Sequence, residues 1–194
     1  MKSTRNYLSP QDFDRLLAAI PTLTLKKWSH KQVDFLFKLC YWCELRPTEG
    51  ITRKAEDFDF ERNELFLGKT KTEKGGITPI PPPFRLEAME FVKDQKGRLF
   101  PGLTRFRVYA WLKQLGEKLN IECLITSVDE TGENTVCNIF RKSMAKDLLY
   151  GTHGKVAPLN VIMKTLRHTS LDTTTKYLRI SQEDVKDFWR DIEK

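Results

Sequence analysis

Between Val33 and Tyr41 the chain carries apolar side chains on most sides of a helix: Val33, Leu36, Phe37, Leu39, Cys40 and Tyr41, with only Asp34 and Lys38 among the polar ones. A surface helix confines its apolar residues to one stripe. A helix that is apolar most of the way round has to be enclosed, so the rest of the chain must supply elements that pack around it. The spacing predicts this central helix over 29–45. The 194 residues suffice for that task, since a chain of this size buries about 70% of the surface its unfolded form exposes. No apolar run reaches the ~18 residues of a membrane span; the longest, Asp34 to Cys43, is broken by Lys38. The N-terminus, Met1-Lys2-Ser3-Thr4-Arg5-Asn6, has no apolar h-region of a signal peptide. A cytoplasmic protein with no membrane partner is expected.

Around the central helix the chain offers more helices and one short run of strands. Ser9-Pro10-Gln11-Asp12 is a helix start, with serine at the N-cap, proline at N1 and an acid at N3. Phe13, Leu16, Leu17 and Ile20 follow at helical spacing, and Pro21 ends the run. Asp57 to Ile80 reads as antiparallel strands: Phe58, Phe60, Leu65 and Leu67 flank a turn at Glu61-Arg62-Asn63, Lys74-Gly75-Gly76 makes a second turn, and Ile77 to Ile80 forms an edge strand. Pro81-Pro82-Pro83 is a stiff break. Helices are predicted over 84–93, 104–119, 138–149, 158–166 and 182–192, with a loop at 129–135 and a short helix or turn at 173–177. There is no internal repeat. The pattern is α+β and mostly α-helical: one domain over 1–194 with a small three-stranded antiparallel sheet.

Several chemistries find no support. The chain has no GxxxxGK[ST], HExxH or GxSxG motif, and only three histidines, His30, His153 and His168. Cys40-x-x-Cys43 lies inside the apolar helix, and Cys123 and Cys137 are spaced too widely to complete a zinc site, so the cysteines read as reduced core residues. Asp57-x-Asp59 reads as a solvated hairpin face. No metal or cofactor is expected. What stands out is charge: 33 basic against 26 acidic residues, a net +7, a balance that suits a polyanionic partner such as nucleic acid.

The cations sit in otherwise apolar settings. Arg46 follows the central helix in Glu44-Leu45-Arg46-Pro47-Thr48-Glu49; Lys71 lies in Gly68-Lys69-Thr70-Lys71-Thr72; Arg141 lies in Asn138-Ile139-Phe140-Arg141; His168 closes Leu166-Arg167-His168; Tyr177 follows Thr174-Thr175-Lys176. In this order the set resembles the tyrosine recombinase (phage integrase) family over about Leu8 to Asp187. That family has Leu-Arg-x-x-Glu (here Leu45, Arg46, Glu49), a hairpin lysine (Lys71), His-x-x-Arg (Asn138 and Arg141), Leu-Gly-His (Leu166, Arg167, His168), and then a tyrosine (Tyr177). Two positions depart from it. Asn138 replaces the box histidine; its amide can donate to a phosphate oxygen but cannot shuttle a proton. Arg167 replaces the glycine, to add a phosphate contact or to cover surface.

The resemblance implies an integrase-type catalytic domain and DNA strand breakage and rejoining through a 3′-phosphotyrosine at Tyr177, without metal or cofactor. Two guanidiniums, Arg46 and Arg141, match the equatorial oxygens of a phosphoryl group in bidentate fashion and stabilise the charge that develops there. Glu49, one helical turn from Arg46, orients it. His168 bonds the phosphate or accepts a proton, and Lys71 protonates the leaving 5′-oxygen, with Lys69 as its rival on the same strand face. Double-stranded DNA is the implied partner, with a tetramer on two sites. Two alternatives share these residues: a DNA-binding protein of impaired catalysis, to which Asn138 points, and a type IB topoisomerase-like enzyme. Arg105, Arg107 and Lys113 on one helix, and Lys142 and Lys146 on another, are candidate phosphate contacts. Val185, Phe188, Trp189 and Ile192 form a terminal apolar stripe, for docking on a neighbouring protomer or on the chain's own core. Since only about eight residues precede the first helix, the expectation is a catalytic fragment or a minimal recombinase without a core-binding domain.

Overall fold

The computed structural model describes residues 6–68, 76–126 and 136–178. Helix α1 (Pro10–Ala19) starts as its sequence dictates, with the Ser9 hydroxyl accepting from the Asp12 N–H at 3.1 Å. Helix α2 (His30–Trp42) opens with a capping box: Ser29 Oγ accepts from Gln32 N and Gln32 Oε1 accepts from Ser29 N, at 3.2 and 3.0 Å. It buries Val33, Phe35, Leu36, Phe37, Leu39, Cys40 and Tyr41, which lie on every side of the helix, as their pattern requires. It stops short of the expected residue 45 because Glu44 turns into the left-handed region at φ 51°. Leu45 N–H then bonds back to Cys40 O at 2.8 Å, and a short helix α3 (Pro47–Gly50) departs in a new direction.

The sheet has the order β1-β2-β3, all antiparallel: β1 (Phe58–Asp59), β2 (Glu64–Leu67) and β3 (Gly76–Pro79). Phe58 faces Leu65, and Leu65 faces Thr78. Phe60, expected in the first strand, lies in the turn instead. Asp59 Oδ1 accepts from the N–H groups of Glu61 and Arg62, at 3.1 and 2.9 Å, and Asn63 takes a left-handed φ of 56°. That is the structural use of Asp59. The Pro79-bearing strand is at the edge, where a missing N–H costs no ladder bond.

Helix α4 (Pro82–Val92) starts earlier than expected, because Pro82 and Pro83 fill first-turn positions that need no N–H partner. Helix α5 (Arg105–Leu119) begins at Thr104 as expected, and exposes Arg105, Arg107 and Lys113. The one-turn helix α6 (Glu122–Ile125), unforeseen in the sequence, packs so closely that a Cβ on Gly116 would lie 2.5 Å from Leu124 Cβ. Helices α7 (Ile139–Tyr150), α8 (Leu159–Thr165) and α9 (Leu171–Leu178) follow. The expected helix at 182–192 lies outside the described residues. Helix α2 packs on α3, α4 and α7, and Phe35 stacks on Phe91 with ring centroids 3.6 Å apart. A second, small apolar cluster of Ala145, Ile162, Leu166 and Leu178 joins α7, α8 and α9. Among the described residues no helix is long and apolar enough to cross a membrane.

The seat of α3 on α2 is tight. A Cβ on Gly50 would meet Cys40 Sγ at 2.6 Å and Leu36 Cδ1 at 3.0 Å. Gly50→Ala is therefore expected to cost about 1–3 kcal/mol by overpacking. Cys40→Ala in the same chain, which removes the sulfur, should return part of that loss. Urea midpoints of the single and double variants check it; simple additivity would contradict the clash.

Candidate active site

Arg46 occupies the N-cap of α3, with Pro47 at N1 and Glu49 at N3. Glu49 Oε2 accepts from the Arg46 backbone N–H at 2.7 Å, as an acid at N3 should. The same carboxylate, only 7% exposed, lies 3.8 Å from Arg46 Nη1 and 3.8 Å from Arg141 Nη1. Arg167 Nη2 donates to both of its oxygens, at 2.9 and 3.1 Å. Glu49 thus holds the Arg46 backbone, lies near its guanidinium, and gathers two further guanidiniums from the far end of the chain. Arg53 braces it from behind, donating Nε–H to the Glu49 carbonyl at 2.9 Å and Nη1–H to Phe66 O in β2.

Helix α7 supplies Asn138 at its N-cap and Arg141 in its first turn. Asn138 Oδ1 accepts from Arg46 Nε at 3.2 Å, so this side chain holds an arginine in place. Arg141 is 1% exposed and donates Nη2–H to Leu166 O, the C-cap of α8. Its Nε and Nη1 are buried with no hydrogen-bond partner. His168 Nδ1 lies 3.1 Å from Thr174 Oγ1, and its ring stands edge-on to Tyr177 with centroids 5.1 Å apart. Tyr177, on α9, points its hydroxyl inward, where Oη has no hydrogen-bond partner. Burial pushes the phenol well above its ordinary pKa, while Arg141 and Arg46 pull it back down. Burial also lowers Arg141, as does the nearby charge of Arg167.

The fold therefore brings together Arg46, Glu49, Asn138, Arg141, His168 and Tyr177. Lys71 and its rival Lys69 lie outside the described residues. Lys142 and Lys146, expected as surface phosphate contacts, are buried instead. Lys142 Nζ sits 5.3 Å from the Tyr177 ring centroid, and Lys146 Nζ sits 5.0 Å from that of Tyr7 and 5.5 Å from that of Tyr150. Helix α7 is wedged between the two apolar clusters, so even its lysines face protein.

Two members of the site carried little signal in the sequence. Glu44 is 4% exposed, with Oε2 unpartnered. Arg167, like Glu44, has a left-handed φ, at 57° and 51° respectively. Asn63 and Asn120 share that conformation, but asparagine tolerates it and long side chains rarely do. Among the described residues, every buried side-chain nitrogen or oxygen left without a hydrogen bond belongs to Glu44, Arg141, Arg167 or Tyr177. Among the described residues the other buried polar groups are satisfied, and the open donors, on Arg141, Arg167 and Tyr177, suit a ligand rich in acceptor oxygens.

Burial pushes the Glu44 carboxyl up to about 7, although Thr165, Arg141 and Arg167 favour its charged form. A carboxyl that binds its proton more tightly in the fold than in the unfolded chain stabilises the fold at low pH. That contribution is complete below the ordinary glutamate pKa and is lost as pH rises through about 7. Glu44→Gln is thus expected to flatten the fall in stability between pH 5 and pH 8. Parallel urea midpoints for wild type and variant over that range would contradict this.

A buried Arg141, a half-buried Arg46, a tyrosine with a buried hydroxyl and a histidine come together on a helical domain with a small antiparallel sheet. The chain superposes on XerH site-specific recombinase bound to a palindromic difH substrate in a post-cleavage complex, with a TM-score of 0.68 at 18% identity, covering 98% of this chain and 53% of that one. It also superposes on the catalytic domain of bacteriophage HP1 integrase, with a TM-score of 0.63 at 16% identity, covering 95% and 93%. In sequence it is 25% identical over 198 residues to tyrosine recombinase XerA of Thermococcus onnurineus, covering 95% of this chain. The chain spans 62% of the length of that relative. A profile of the phage integrase family matches residues 6–184, and the chain belongs to that family.

Proposed function

We propose that this chain is a site-specific DNA recombinase of integrase type, which breaks and rejoins DNA through a covalent 3′-phosphotyrosine at Tyr177. The observation that carries it is the convergence of unpartnered buried donors on Arg141 with the unpartnered hydroxyl of Tyr177, beside Arg46. A phosphodiester supplies the missing acceptors for those donors and the electrophile for that hydroxyl. In this proposal residues 1–194 form one catalytic domain, acting on double-stranded DNA in the cytoplasm as a tetramer on two sites.

The step balances within the site. Tyr177 Oη attacks phosphorus, the P–O5′ bond breaks, the phenolic proton leaves, and the 5′-oxygen takes up a proton. Arg46 and Arg141 stabilise the charge that builds on the equatorial oxygens. Asn138 keeps Arg46 aimed. His168 accepts the phenolic proton or bonds a phosphate oxygen, and Lys71 protonates the leaving oxygen. The covalent bond conserves the diester's energy, so attack by a 5′-hydroxyl reverses the step without a nucleotide.

The test is a covalent-adduct assay on negatively supercoiled plasmid in EDTA, stopped with SDS. Protein-linked nicks and relaxed topoisomers are expected, with a Tyr177 peptide carrying the nucleotide in mass spectrometry. An adduct on another residue would overturn the assignment. Tight duplex binding with no adduct would instead favour a binding protein of this fold.

A further inference from the structure

Arg167 is the guanidinium closest to the Glu49 carboxylate, at 2.9 and 3.1 Å against 3.8 Å for the guanidinium nitrogens of Arg46 and Arg141. It holds that position from a left-handed backbone at φ 57°, a conformation glycine adopts freely and arginine does not. Its stem passes β3: a Cβ on Gly76, the first residue of that strand, would lie 3.5 Å from Arg167 Cδ. An unfavourable backbone persists only where side-chain contacts over-determine it. Here the contact is with a carboxylate buried among the guanidiniums on which the proposed chemistry depends.

We propose that Arg167 is a positioning residue: it takes up the charge of Glu49, so that Arg46 and Arg141 keep their guanidiniums for the phosphate. The proposal rests on the recombinase reading of this site. Glu49 is 7% exposed and cannot turn to water. Without Arg167 its nearest cations are Arg46 and Arg141, and a carboxylate that closes on them competes directly with a phosphodiester. Glu44, the second buried acid, also lies within the field of Arg141 and Arg167. Loss of Arg167 removes one of the three guanidiniums paired with Glu49 and lowers the positive charge of the cluster. Arg167 Nη1, buried and without a hydrogen-bond partner, shows that Glu49 does not use up this guanidinium.

The test is a double-variant cycle on the full chain: wild type, Arg167→Gly, Glu49→Gln and the pair, with Arg167→Gln beside Arg167→Gly in case one fails to fold. The Glu49→Gln change keeps a side-chain oxygen for the Arg46 N–H and loses only the charge. Two readouts are taken, the rate of SDS-trapped adduct on supercoiled plasmid and the affinity for inorganic phosphate by calorimetry. Arg167→Gly is expected to lower both by about ten- to a hundredfold, and to lower neither by more than about twofold in the Glu49→Gln background, the non-additivity of coupled neighbours. Arg167→Lys, which keeps the charge, should recover most of the loss. Equal losses in the two backgrounds, or an Arg167→Gly protein as active as wild type, overturn the proposal. A wild type that forms no adduct while its phosphate affinity obeys the cycle removes the recombinase reading and leaves this role for Arg167 standing.

Discussion

Tyr177→Phe is expected to abolish the SDS-stable adduct and plasmid relaxation while leaving duplex affinity within about twofold, since a phenyl ring keeps the packing and loses only the nucleophile. The rate should fall by about ten-thousandfold or more, as for loss of a reacting group. The Tyr177 ring is held by the edge of His168 and by Lys142, and neither contact needs the hydroxyl. The oxygen itself has no hydrogen bond to lose, so thermal stability should hold or rise slightly. A variant that still forms adducts would show that another oxygen attacks phosphorus. For the wild type, burial of the phenol sets the pH dependence: adduct formation should climb with pH above neutrality as the phenolate becomes easier to form. A rate flat from about pH 7 to about pH 9.5, short of the ordinary phenol pKa, would contradict it.

Arg141→Ala carries the second large effect, and it falls on chemistry and fold together. Loss of a guanidinium that stabilises the developing phosphoryl charge costs about a hundred- to a thousandfold in rate. The same change leaves Leu166 O without its donor in the interior, and an unsatisfied buried polar group costs about 1–3 kcal/mol. Adduct rates and urea midpoints should therefore fall in parallel. Arg141→Lys should restore part of the stability and little of the rate, because an ammonium cannot match two phosphate oxygens as a planar fork does. A lysine variant at wild-type rate would mean that Arg141 acts only as a point charge.

Those buried contacts mark where the sequence was readable. The enclosure of α2 followed from apolar residues on all its sides, since nothing but burial satisfies such a helix. The helix start at Ser9 followed from local capping chemistry that needs no tertiary partner. Misread boundaries had local causes that spacing does not encode. Pro82 and Pro83 open a helix because first-turn positions need no N–H, and Asp59 turned a predicted strand residue into a turn by accepting two N–H bonds.

Residue order along the chain was enough to nominate Arg46, Glu49, Asn138, Arg141, His168 and Tyr177, because a ligand-binding set can be matched in one dimension. What each one touches was decided in three. Lys142 and Lys146 look like any basic pair on a helix, and only the wedging of α7 between two apolar clusters turns them inward. Glu44 and Arg167 carry no local signal for a left-handed backbone; the first is held by burial beside the arginines and the second by Glu49, 118 residues away. The helical class and the enclosed α2 were legible in one dimension, because they rest on periodicity and caps, and the ordered set of candidate site residues was legible through its resemblance to the family's motifs. That Glu49 is the hub of three arginines, and that Arg141 Nε and Nη1, Arg167 Nη1 and Tyr177 Oη stand without a hydrogen bond, emerged only on folding, because burial and long-range charge pairing exist only once distant segments meet.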